Sequence, residues 1–169
     1  MRLVTVVLSI VMLGSTSGVS ARVTPAQSRR KAPTFVLSDA NGSPIRLLDY
    51  KGKVVVLDFW ATWCTGCKVE IPWFMEFQDK YKSQGLATIG AAMDDEGWEK
   101  VRPFVSEHPF NYPIVAGNAA ALAKQFNITG LPLTLLIDRE GRIADAHAGM
   151  VDKNGWEQEV REVLKERPR

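Results

Sequence analysis

Cysteine is scarce in this chain of 169 residues, which contains only Cys64 and Cys67. Lying so close together, they close a very short ring, so no long-range disulfide staples the fold. Disulfide stabilisation grows with loop length, so oxidation of this pair has a chemical use rather than a structural one. An excess of one charge is missing too: 21 Lys and Arg stand against 19 Asp and Glu, a formal net charge of +2. A nucleic-acid binder needs a clustered basic surplus, so that class is set aside. Histidine is limited to His108 and His147, too far apart to form a spacing motif. There is no internal repeat and no low-complexity segment. The length suits one domain of the common ~100–200-residue size.

What is present begins with the N-terminus. Arg2 precedes an apolar run from Leu3 to Leu13, then small and polar residues ending in Val19-Ser20-Ala21. That layout reads as a secretory signal peptide cut after Ala21. An uncleaved membrane anchor is the rival, because Leu3 to Ala21 carries no charge and a span needs ~20 residues. Either way the domain that follows faces outward, into a compartment where disulfides persist. Arg22 to Lys31, with Arg29-Arg30-Lys31, reads as a solvated linker, leaving residues 32–169 for the folded domain.

Thr34–Leu37 and Ile45–Leu48 flank the turn signal Asp39-Ala40-Asn41-Gly42 and predict a small N-terminal β-extension. Lys53–Phe59 is an almost unbroken β-branched run, as in a strand buried on both faces of a parallel sheet. From Cys67 to Lys82, Ile71, Phe74, Met75, Phe77 and Tyr81 recur at helical spacing, and Gly85 supplies the stop. Leu86–Met93 reads as a second buried strand, and Trp98–Glu107 as an inserted helix capped by the acidic Asp94-Asp95-Glu96. A short strand at Pro113–Val115 and a helix at Ala119–Phe126 follow. Leu133–Ile137 and Arg142–Ala148 form an antiparallel hairpin, and Trp156, Val160, Val163 and Leu164 line one face of a closing helix. This order predicts an α/β fold with a mixed central sheet and helices on both faces.

Cys64 falls at the amino end of a helix, where unpaired backbone N–H groups and the macrodipole favour a thiolate. It is the candidate nucleophile. Cys67, nearly one turn on, is placed to attack a mixed disulfide at Cys64 and release the substrate. Asp58 lies inside the apolar run before the cysteines, where burial should raise its pKa and suit it to take a proton from Cys67. Glu70 follows Cys67 at helix-neighbour spacing and offers a second carboxylate. Each acid also has a structural alternative: Glu70 solvated on the helix surface, Asp58 hydrogen-bonded in a dry site. Trp60 and Trp63 flank the pair and offer either an apolar docking surface or core, and Lys68 either supports a thiolate or is solvated. Pro132, just before a strand, suits a sheet edge or a cis bond in a tight turn.

The string Asp58-Phe59-Trp60-Ala61-Thr62-Trp63-Cys64-Thr65-Gly66-Cys67-Lys68, with Pro72 beyond it, resembles the thioredoxin superfamily. Glu70, the N-terminal extension, the inserted helix and Gly130-Leu131-Pro132 resemble its TlpA/ResA-like branch more narrowly. The resemblance implies a thioredoxin fold, an extracytoplasmic or periplasmic location and thiol-disulfide exchange with protein substrates. It also implies clients such as apocytochrome c or copper-site cysteines kept reduced, and a membrane thiol transporter as electron donor. Pro132 would be the cis-proline facing the cysteines, leaving the Leu131 backbone to pair with an extended substrate beside Trp63. Thioredoxins carry an acid at the Asp58 position and the branch has a glutamate at the Glu70 position; this chain has both. The departure is Thr65-Gly66, where the family most often places a proline, which bears on potential and thiol pKa. No cofactor is expected beyond a redox-active Cys64–Cys67 disulfide, and a monomer is expected. A copper(I)-binding assembly chaperone using the two thiols and a histidine such as His147 is the alternative, since soft thiolates select Cu(I). A peroxidase would need a Thr-x-x-Cys preceded by proline, whereas Thr62 stands two residues before Cys64 and no proline precedes it.

Overall fold

A computed structural model describes residues 23–167. The signal-peptide or anchor reading of residues 1–21 lies outside the described residues. Seven strands, β1 (Val36–Ser38), β2 (Pro44–Arg46), β3 (Val54–Trp60), β4 (Leu86–Ala92), β5 (Ile114–Ala116), β6 (Leu133–Ile137) and β7 (Ile143–Ala148), form one sheet in the order β2-β1-β5-β4-β3-β6-β7. Pairing is parallel for β3–β4 and β4–β5 and antiparallel elsewhere, so the expected mixed sheet is observed. The helices are α1 (Thr65–Tyr81), α2 (Trp98–Glu107), α3 (Ala119–Phe126) and α4 (Lys153–Lys165).

Every residue of β3 and β4 is buried, as their continuous apolar runs require. Strand alternation splits β3 between two cores. Val54, Val56 and Trp60 face a core shared with α1 residues Ile71, Phe74 and Phe77 and α4 residues Trp156, Val160 and Val163. Val55, Leu57 and Phe59 face a second core with Phe35, Leu47 and the α3 residue Leu122. Asp58 has the parity of the first face, so the fold aims a carboxyl beneath α1.

Two local expectations are corrected. The acidic run does not cap α2: Gly97 is the N-cap, with φ 55° and no side-chain cap bond. Asp94 is drawn away to another task, described below. The stretch expected to be a solvated linker lies against the sheet from Val23 onward. Thr24 N–H donates to Ala144 O at 2.8 Å, Ile143 N–H to Arg30 O at 2.8 Å, and Arg29 is buried. The reason is electrostatic: Arg29 reaches Asp138 at 3.1 Å and Glu166 at 2.6 Å, and charged partners from two distant elements outweigh solvation of a single guanidinium.

Candidate active site

The strand-to-helix junction after β3 builds the site. Cys64 is the N-cap of α1, and the Cys67 N–H donates to its sulfur at 3.2 Å. The two cysteines are joined in a disulfide, with Cα atoms 5.3 Å apart. Cys67 is fully buried and Cys64 nearly so, while Trp63 beside them is 67% exposed. Trp60, by contrast, belongs to the core, packed on Phe104 and Phe110.

The Leu131–Pro132 bond is cis, as the resemblance implied, and the β6 pairing begins only at Leu133. Pro132 closes on the redox dipeptide. A Cβ built on Gly66 would stand 3.5 Å from Pro132 Cδ and 3.3 Å from Met150 Cγ. Glycine at this position therefore admits the Met150 side chain over the cysteine turn, a packing partner that spacing along the chain does not reveal. The loop carrying Met150 is tied down at both ends: Gly149 N–H donates to Pro132 O at 2.8 Å and Val151 N–H to Glu70 Oε1 at 2.5 Å.

Both acids are fully buried. The solvated alternative for Glu70 is excluded, and neither Asp58 oxygen has a hydrogen-bond partner among the described residues. Burial, reinforced by the Glu70 charge, holds Asp58 well above the ordinary carboxylate range. Burial raises Glu70 to about 7, against the lowering effect of the Val151 N–H. Because the folded state disfavours the Glu70 carboxylate, its stability contribution is fully present below the unfolded value near 4.5 and is lost as pH climbs to about 7. Over that window the protein should lose about 3 kcal/mol. Glu70→Gln, followed by urea unfolding at several pH values, is expected to flatten this decline and stabilise the protein above neutrality. Unchanged pH dependence would show that Glu70 ionises freely.

One supporting residue is missed by sequence reasoning. Asp94, just after β4, is buried; it accepts the Thr62 hydroxyl at 2.5 Å and the Thr62 N–H at 3.0 Å. It thereby holds the turn that leads into Trp63 and Cys64. Its acidic neighbours suggested a helix cap, and only the strand register brings it opposite Thr62. Lys68 lies over the Phe104 ring, 5.6 Å from its centroid. His147 contacts Met150 O at 3.1 Å and His108 contacts Phe104 O at 3.2 Å. Among the described residues, no group of three or more His, Cys, Asp or Glu side chains is placed to hold a metal ion.

A disulfide between cysteines three residues apart, capping the helix after the central strand, faced by a cis-proline and backed by buried acid, defines a thiol-disulfide oxidoreductase. Comparison with known proteins agrees. The chain is 34% identical over 135 residues to the thiol-disulfide oxidoreductase ResA of Bacillus thuringiensis subsp. konkukian (strain 97-27), covering 79% of this chain and 77% of that one. It is 35% identical over 123 residues to ResA of Bacillus subtilis (strain 168), covering 73% and 68%. Among solved structures, a thiol:disulfide interchange protein of the thioredoxin family from Chlorobium tepidum TLS superposes with a TM-score of 0.71 at 27% identity, covering 80% of this chain and 97% of that one. The AhpC/TSA family profile matches residues 29–146, and the chain belongs to that family.

Proposed function

We propose that the protein is a reductant of disulfides in exported proteins, working at the periplasmic or extracytoplasmic side of the membrane after delivery by its N-terminal leader. The observation that carries the reading is the asymmetry of the cysteine pair: Cys64 caps α1 beside the exposed Trp63, whereas Cys67 lies fully buried. The Cys64 thiolate attacks a client disulfide and forms a mixed disulfide, releasing one client thiolate. Cys67 passes its proton to the buried acid pair Asp58 and Glu70 and attacks the Cys64 sulfur. The second client thiolate leaves, the Cys64–Cys67 disulfide forms, and a membrane thiol donor reduces it again. Trp63, Leu131 and Pro132 line the groove in which an extended client segment pairs with main chain. Apocytochrome c and copper-site cysteines are the client class.

Equilibration with a reference dithiol tests the direction. A potential near that of thioredoxin, about −270 mV, is expected, and one near the strongly oxidising ~−120 mV would overturn the reductant reading.

A further inference from the structure

The interior behind the disulfide holds one titratable side chain more than this exchange scheme uses. Tyr112, just ahead of β5, is buried, and its hydroxyl has no hydrogen-bond partner among the described residues. Its place is set by Gly90, the register neighbour of Asp58 across β3–β4. A Cβ at Gly90 would come within 2.6 Å of Ile114 Cδ1, 3.0 Å of Trp60 Nε1 and 3.3 Å of Tyr112 Cε2. The bare glycine thus lets the Ile114 side chain and both rings close in on the strand position next to Asp58.

Burial, reinforced by the charges of Asp58 and Glu70, pushes the ionisation of Tyr112 well above the ordinary value, so the hydroxyl stays a neutral donor. Both Asp58 oxygens, Glu70 Oε2, Trp60 Nε1 and Thr134 Oγ1 are likewise buried without a hydrogen-bond partner among the described residues. Thr134 is the register neighbour of Asp58 on the other side, in β6. None of these atoms has a hydrogen-bond partner among the described residues, and buried polar atoms left so are commonly satisfied by an internal water. The titratable groups whose charge reaches Tyr112 are Asp58 from β3 and Glu70 from α1, and Cys67 belongs to the same core. On its other side stand the apolar Phe110 and, beyond it, Phe104 of α2.

We propose that Tyr112 is a positioning residue of the proton-transfer centre: through an internal water bound between its hydroxyl and the Asp58 carboxyl, it stabilises the Asp58 carboxylate that accepts the Cys67 proton. The proton moves from Cys67 sulfur to Asp58, and the resulting thiolate forms the Cys64–Cys67 bond as the client thiolate leaves. The inference rests on the proton-acceptor role given to Asp58 above.

The test mixes reduced protein with 5,5′-dithiobis(2-nitrobenzoate) in a stopped-flow instrument. The first chromophore release reports attack by Cys64 and the second reports closure by Cys67. Tyr112→Phe is expected to move the acid limb of the second release up by about one pH unit, a slowing of about tenfold below it, with the first release unchanged. Carbon-13 NMR titration of the Asp58 carboxyl should show the same upward displacement. If Asp58→Asn alters the second release while Tyr112→Phe leaves it and the carboxyl titration as in the wild type, the inference is overturned and the proton-acceptor role stands. If neither substitution changes the profile, both fall. Equal slowing of both releases by Tyr112→Phe, with no displacement of the carboxyl titration, would mark a packing role only and also overturn it.

Discussion

Cys64→Ser is expected to lower dithiol-driven reduction of insulin by on the order of a thousandfold or more, because a hydroxyl supplies almost no anion at neutral pH to replace a thiolate. The loss should be in the chemical step and not in the fold. The side chain at the N-cap is isosteric, and serine caps a helix at least as well as cysteine by accepting the N–H that Cys67 now gives to sulfur at 3.2 Å. Removing the ring closed by Cys64 and Cys67 costs little, since so short a loop restrains little unfolded-chain entropy. Cys67→Ala separates the roles: Cys64 should still attack, but clients should accumulate as mixed disulfides, visible on non-reducing gels and reversed by reductant. Retention of full turnover by either variant would mean that exchange does not run through this pair.

The second large effect is on stability and lies at the far edge of the domain. Arg29→Ala is expected to cost about 3–5 kcal/mol, the range for removing one partner of a buried ion pair. The Arg29 side chain is 1% exposed; it donates to Thr24 O at 2.8 Å, to Asp138 at 3.1 Å and to both oxygens of Glu166 at 2.6 Å. Asp138 keeps Arg142 at 2.9 Å, which places the loss toward the lower end of that range. Because the Arg29–Asp138 pair is buried, its share of the cost should persist at high salt, where the more exposed Glu166 contact fades. Urea unfolding at low and high ionic strength measures it. A loss below 1 kcal/mol would return residues 23–31 to the status of a solvated tether.

These two positions differ in how far the chain alone reveals them. The cysteine pair, its helix cap and the buried strand leading into it follow from neighbouring residues: a β-branched run, a helical spacing of Ile71, Phe74 and Phe77, and a glycine stop at Gly85, which has φ 93°. The β6–β7 hairpin and the bounds of α2 and α3 are equally local. Arg29 is different. Its neighbours are small and polar, and its partners lie 109 and 137 residues away, so local composition gave the wrong environment.

The candidate site divides along the same line. That Asp58 would be buried was legible in the apolar residues around it. That it has no hydrogen-bond partner among the described residues, and that Tyr112 and Trp60 crowd the space beside it, depends on the β3–β4 register and on a glycine at position 90. Glu70 was ambiguous at the helix surface until the loop after β7, 81 residues on, covered it and gave it the Val151 N–H. Asp94 looked like a cap for the helix that follows it and instead holds Thr62, 32 residues earlier.

By itself the sequence determined the elements, the redox pair and the class of chemistry, because strand and helix periodicity, capping and thiol reactivity act over a few residues. The tertiary structure alone decided which acids are dry, what lies against them and where the N-terminal segment is anchored. Burial and charge pairing depend on every element that closes over a side chain, and those elements come from the whole length of the chain.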